Sequence, residues 1–570
     1  MSSYRVLRSL LAPMLVLMVL VTIHPLPVAS ATTLTFVVTS TADAHDATPG
    51  SGVCASTLPG GACTVRAAIE EANAQPSGRA LTITVPAGTY TLVLGALPIT
   101  AHPLALIGAG AAATTISGNQ TSEVFSIASA AAVTIARVTV TGGVAPPNDS
   151  GYSVGGGIVN AGTLTVWATD ISHNTAAYSG GGIQNTGVLT VAQSMVSGNY
   201  GGQGGGIYST GTLTLAQSII ATNTANQGGG ISNYRGTALL ANSMLSGNTA
   251  AFNGGGIDTF VGSLTLLNTR VVSNTASGTL STSGGGININ GSTVAVTHSA
   301  IMSNTAGQGA GIYTQLATVT ISESIISRNT AASGGGISTY IGTVALTNST
   351  LHGNTATAGH GGAILNAGTL TVTKSTLSGN TATNGGAIYN APFEPYSRVF
   401  VTNSTLSGNT AGTGGGIDNA LGLVTLSYDT IASNSSDLTS EVISATIALV
   451  GTIVAGSTTS PNCSGAAIVS AGYNLESGAS CGFSQPTDIT NTNPLLSSLA
   501  YQGGPTQTLA LRPGSPAINQ GGSRVNGCPT TDQRGVSRPQ GATCDIGAYE
   551  AASPGTIPPA DSSLESSWGE

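Results

Sequence analysis

Side chains able to do acid–base chemistry are sparse in the repeating part of this chain. Between Gly155 and Asn434 the acids are Asp170, Asp258, Glu323, Glu394, Asp418 and Asp429. Cleaving a glycosidic bond uses two carboxyl groups roughly 5–9.5 Å apart, one giving a proton and one acting as nucleophile or base. Asp258 and Asp418 occupy one position of the repeat, but six repeats separate them. At one strand spacing per repeat that is roughly 29 Å. Asp418 shares a repeat with Asp429, with no acid in the repeats on either side at those positions. The densest polar group is His352, His360, Lys374, Glu394 and Arg398, around a longer repeat at 391–398. It is a candidate carbohydrate-binding or catalytic patch on an otherwise solvated face. No catalytic residue is assigned, and no metal or cofactor is expected.

The repeat must position these groups. Gly-Gly-Gly-Ile or a close variant occurs eleven times, from Ile158 to Ile417, at intervals of 24 to 30 residues. A second mark follows each one: Asn174, Asn199, Asn223, Asn248, Asn274, Asn304, Asn329, Asn354, Asn380, Asn409 and Asn434. The gap from Ile to Asn is 16 or 17 residues in ten of the eleven units. Two landmarks in register over so many units mean a solenoid. Between them the pattern alternates, as in Gly162-Thr163-Leu164-Thr165-Val166, which reads as a strand with Leu and Val inward. The segment before each Asn reads as a second strand, and the Gly-rich segment entering Ile begins a third. No helical period appears in the repeats. The expected fold is all-β, a right-handed single-stranded parallel β-helix of about 25 residues per coil. Stacked asparagines would form a hydrogen-bonded ladder, with a partial second one at Asn160, Asn185, Asn233, Asn366, Asn390 and Asn419. Outward threonines recur at Thr165, Thr190, Thr214, Thr265, Thr320, Thr371 and Thr425, interrupted by Ala238, Ala295 and Ala345. A flat threonine array of that kind could bind ice or crystalline polysaccharide, but Thr is also simply a good exposed strand residue.

Composition narrows the function classes. Charged residues are 6% of the 570, and the formal charge is −8. No basic stripe is present, which excludes phosphate-driven nucleic-acid binding. The start reads as a secretion signal over 1–31: Arg5 and Arg8, the apolar Leu10–Ile23, then Ala29-Ser30-Ala31. No later run is long enough for a membrane span. Six cysteines in an exported chain point to disulfides. Their near-neighbour grouping makes Cys54–Cys63, Cys463–Cys481 and Cys528–Cys544 the natural pairing of the fifteen possible.

Three parts resemble known families. The repeats Gly361–Ile364 and Gly385–Ile388, alternating with Leu377–Asn380 and Leu406–Asn409, resemble the paired motifs of chlamydial polymorphic outer-membrane proteins. Those are β-helical autotransporter adhesins, so the resemblance implies adhesion. Here Leu or Ile often replaces that family's Phe. Cys63-Thr64-Val65-Arg66-Ala67-Ala68-Ile69-Glu70-Glu71-Ala72-Asn73 resembles the Cys-Ser-Leu-Arg-Glu-Ala domain that opens many secreted bacterial β-helix proteins. Residues 64–74 read as a short amphipathic helix, with Val65, Ala68, Ile69 and Ala72 on the face that would cap the first coil. Asn493–Leu496, Gly503–Thr506, Pro513–Ile518, Asp532–Gly535 and Asp545–Glu550 fall in order and resemble the choice-of-anchor Q domain of bacterial surface proteins. Asp532 and Arg534 are read there as an ion pair that fixes the fold.

The expected organisation is a signal peptide over 1–31, a cap and first coils over 32–110, repeats over 111–460, C-terminal coils and the anchor-like domain over 461–550, and a disordered tail over 551–570. Right-handed β-helices include pectate lyases and related polysaccharide-degrading enzymes. The leading expectation is nonetheless a non-catalytic secreted or cell-surface protein. Its partners would be extracellular glycans or a host or neighbouring cell surface. The alternatives are a polysaccharide lyase or hydrolase, and a flat-face binder.

Overall fold

A computed structural model describes residues 34–552, apart from 77, 101–102, 148–150, 279–281, 393–396, 441–444 and 466. The expected signal peptide, nearly all of the expected tail and Glu394 lie outside the described residues.

The chain winds into a parallel β-solenoid, each coil pairing with the next in register. The isoleucine strand Ile158–Asn160 pairs with Ile183–Asn185, and that with Ile207–Ser209. The leucine strand Thr163–Trp167 pairs with Val188–Ala192. Both kinds belong to one 30-stranded sheet, because Ile337–Thr347 and Ile364–Thr373 each run through both positions of a coil. The strand just before each ladder asparagine stacks into a 16-stranded sheet. Middle coils carry a fourth short strand, from Thr175–Ser179 to Thr355–Ala356, in an eight-stranded sheet. The alternation pattern read as three strands per coil did not reveal it. It forms where a small residue stands two places after the ladder Asn, in a Thr-Ala pair in every such strand but Tyr200–Gln203, and the Ala side chains, such as Ala176 and Ala250, stack inward and buried.

The interior is a set of aligned columns. Ile158, Ile183, Ile207, Ile231 and Ile257 are fully buried, each contributing ~1.5–3 kcal/mol. At the corner, Asn174 Nδ2 donates to Asn199 Oδ1 at 3.0 Å, and each following pair does likewise, ending with Asn409 to Asn434 at 2.9 Å. The same acceptors take the preceding backbone amides, as in Asn174 N to Asn199 Oδ1 at 2.9 Å. Asn434 Nδ2 closes the row on Asp437. The second ladder is broken by other side chains: Asn160 bonds Asn185, Asn185 bonds Ser209, and Asn366, Asn390 and Asn419 resume it.

Both ends are closed. Helix α1 (Val65–Asn73) starts at Thr64, whose hydroxyl accepts from Ala67 N at 3.1 Å. Val65, Ala68, Ile69 and Ala72 are buried in the main core. Arg66 reaches back to Asp43 with two bonds of 2.7 and 3.1 Å. Burial raises the Asp43 carboxyl, but Arg66 and the Leu94 and Val93 amides outweigh it and hold it below the ordinary range. At the other end the chain turns back along the 16-stranded sheet. Gln533 is buried against Thr405, Thr376 and Thr506, and Ala548 N donates to Thr430 Oγ1 at 3.0 Å. Leu509, Leu511 and Ile546 pack on Ile453 and Leu475. Disulfides join Cys54–Cys63, Cys463–Cys481 and Cys528–Cys544.

Candidate functional site

The Gly-Gly-Gly-Ile corner shapes the most structured outer surface. Its first glycine has a left-handed backbone, φ +64° at Gly254, which only Gly adopts cheaply. Its third packs so tightly that a Cβ on Gly256 would lie 2.6 Å from the Gly286 carbonyl and 3.2 Å from the Asn274 side chain. The chain therefore bends sharply from the eight-stranded sheet into the isoleucine strand. The residue before the bend and the residue after Ile face each other across it. Ser179 bonds Gln184 at 2.8 Å, Ser283 bonds Asn288 at 3.0 Å, and Thr413 bonds Asp418 at 2.6 Å. The result is a narrow cleft along the solenoid axis. Its floor is the row Gln184, Tyr208, Ser232, Asp258 and Asn288, all buried although they point away from the core.

Asp258 is a perturbed acid of this cleft. Burial pushes its carboxyl up to about 6, against the opposing bond from Asn288 at 2.6 Å. A raised carboxyl in a cleft is suited to donating a proton. Asp418 is fully buried in the same row, and the pairing register places it six coils from Asp258, roughly 29 Å at ~4.8 Å per coil. Those two cannot act as a glycosidase pair. Among the described residues, no three His, Cys, Asp or Glu side chains gather as a metal site needs.

The polar patch read from the sequence does not converge. His352 lies on the 16-stranded sheet, with Nδ1 3.1 Å from Ser378 Oγ. His360 lies at the cleft, its ring stacked on Tyr389 at 4.2 Å. Lys374 sits where the leucine strand turns toward the 16-stranded sheet, and its carbonyl accepts from Thr506. Arg398 opens the leucine strand Arg398–Thr402. No hydrogen bond or ion pair joins any two of these four. The threonine row is also less regular than the sequence reading. Leu239, not Ala238, stands between Thr214 and Thr265, because Ala238 pairs with the inward Leu213 and Leu264. Phe400 interrupts the row again beside Thr371.

Two features were missed. Ser194, Ser218, Ser243, Ser299, Ser324, Ser349, Ser375 and Ser404 form a buried serine row, most of their hydroxyls accepting from the backbone of the previous coil, as in Ser194 N to Ser218 Oγ at 3.2 Å. Asp429 ends it by accepting from Ser404 N at 2.8 Å, and burial raises its carboxyl well above the ordinary value. The recurring Ser five residues before the ladder Asn was the available signal. The other is a recess of about 300 Å³ on the eight-stranded sheet, between Tyr178 and Phe252. Its signal was an aromatic two residues before the glycine corner in Ala-Ala-Tyr-Ser-Gly and Ala-Ala-Phe-Asn-Gly.

These features define the class: an all-β parallel β-helix with a polar cleft along one corner. No protein-family model matches the chain, and no curated protein matches it. Among solved structures it is similar to the pectate lyase Pel9A, with TM-score 0.28 and 13% identity over 91% of this chain and 97% of that one. It is also similar to the A-module of the Azotobacter vinelandii mannuronan C-5 epimerase AlgE6, with TM-score 0.32 and 15% identity over 72% and 94%. A third is the catalytic unit of a GH87 alpha-1,3-glucanase from Streptomyces thermodiastaticus, with TM-score 0.25 and 13% identity over 69% and 62%. Likeness at these values carries no functional argument.

Proposed function

We propose that this chain is an extracellular, non-catalytic β-helix that binds polysaccharide along its corner cleft, as part of adhesion or surface attachment. The observation that carries this reading is the polar corner row Gln184, Tyr208, Ser232, Asp258 and Asn288, in register over five consecutive coils beside an open recess lined by Tyr178, Phe252 and three side-chain amides. Such a row suits an extended polymer with a hydroxyl on every unit, since hydroxyl and amide groups can both donate and accept. The resemblance of the repeats to outer-membrane adhesins, and of residues 493–550 to an anchor domain, supports surface attachment. Three disulfides support an oxidising, exported setting.

The test is a glycan array and whole-cell adhesion with the protein lacking residues 1–31. Binding to at least one polysaccharide, with no reducing ends or unsaturated products released, is expected; no binding on any arm overturns the proposal. One observation favours the enzyme alternative, the raised carboxyl of Asp258. If that reading holds, product release is measurable and Asp258→Asn abolishes it.

A further inference from the structure

We propose that the recess between Tyr178 and Phe252 is a binding subsite for about two consecutive sugar rings of an uncharged polysaccharide. This deepens the glycan-binding reading and rests on it.

The recess arises from an irregularity in coil length. The strands Thr175–Ser179 and Thr249–Asn253 have five residues, whereas the two between them, Tyr200–Gln203 and Thr224–Gln227, have four. The pairing register shifts at both longer strands. An extra residue of this kind bulges the strand and re-aims a side chain. Each bulge carries an aromatic ring outward, and Tyr178 and Phe252 are 45% and 48% exposed. The two shorter coils form the floor, with Gly202 and Asn226 in the positions the rings occupy on the walls. Gly202 cannot carry a side chain, since a Cβ would lie 2.5 Å from the Tyr178 carbonyl. The wall coils are three coil rises apart, roughly 14 Å. Tyr152 packs at a tilt against Tyr178 from the preceding coil, centroids 4.4 Å apart and planes 47° apart, and braces that wall.

The chemistry of the lining selects the ligand. Gln203, Asn226 and Gln227 line the recess; Gln203 and Gln227 use their backbone carbonyls in the coil stacking, while none of the three side-chain amides bonds a described residue, which leaves those amides open to partners. An aromatic ring presents an apolar face to the C–H face of a sugar, and amides match its hydroxyls. No Lys, Arg, His, Asp or Glu lines the recess. A polyuronate or sulfated glycan would bring charges with no cation to pair them, and the nearby cleft floor adds Asp258. The two floor coils, each rising ~4.8 Å, leave room between the walls for about two rings.

The experiment measures binding of the protein lacking residues 1–31, Tyr178→Ala and Phe252→Ala to soluble neutral and acidic polysaccharides at low and high salt. Circular dichroism and melting temperature check that the variants fold, as expected for half-exposed side chains. The proposal expects a neutral polysaccharide to bind with little salt dependence. Each variant should weaken it roughly 3- to 10-fold, and Tyr178→Phe should restore it. A polysaccharide bound equally by both alanine variants, or only an acidic one lost at high salt, overturns the subsite but leaves the broader reading standing. Binding to no polysaccharide overturns both.

Discussion

Asn304 shows what one residue carries in this fold. Its Oδ1 accepts from Asn274 N at 2.9 Å and Asn274 Nδ2 at 3.1 Å, while its Nδ2 donates to Val271 O and Asn329 Oδ1, both at 3.0 Å. Removing the side chain strands several buried groups, at ~1–3 kcal/mol each. Asn304→Ala should therefore cost about 3 kcal/mol or more in denaturant melts. Asn304→Asp should cost more still, because a second oxygen then faces two acceptors. The buried acids give a pH dependence. Burial raises Asp258 to about 6 and Asp437 to about 7. Both bind their proton more tightly folded than unfolded, so the stability they contribute is greatest below about pH 4 and is lost as pH rises to about 6 to 7. Melting temperature should drop between about pH 4 and pH 7, and Asp258→Asn with Asp437→Asn should flatten that drop. The asparagine spacing was legible because each one recurs after the same landmark. The perturbation of Asp258 was not, because the neighbours that bury it come from the bend and the next coil.

At the scale of elements, the coils are interchangeable and the ends are not. The C-terminal segment is fastened to the solenoid side through Gln533, which meets Thr376, Thr405 and Thr506 with bonds of 2.7 to 3.0 Å. Arg534 pairs with Asp532 at 2.7 Å and lies over the Tyr549 ring. Gln533→Ala should loosen this segment by about 2–3 kcal/mol. Hydrogen exchange and proteolysis should then speed up over 489–551, with the repeats unchanged; equal acceleration throughout would contradict separate docking. The strand types and the capping helix were readable from period and composition. The fold-back was not, since Gln533 and Thr376 are 157 residues apart and nothing local marks the pair. The fourth strand was hidden for another reason: its Thr-Ala pairs are too short to show a period.

The whole molecule is a rod. Sixteen strands in one sheet at ~4.8 Å give a length of roughly 70 Å. Its corner cleft repeats with the coil, its net charge is modestly negative, and its ends are closed by segments that hold the disulfides. A repeating surface of this kind meets a repeating partner more naturally than a single small molecule. The repeat and its extent were legible in the sequence. The cleft and the recess were not, because both depend on which residues a glycine bend and two strand bulges turn outward. The most direct measurement is co-sedimentation or retention of the protein lacking residues 1–31 on a panel of polysaccharides, with product analysis of the same samples. The account predicts retention on at least one neutral polysaccharide without any release of reducing ends or unsaturated sugars. Retention on none, or cleavage of the polymer that is bound, would contradict it.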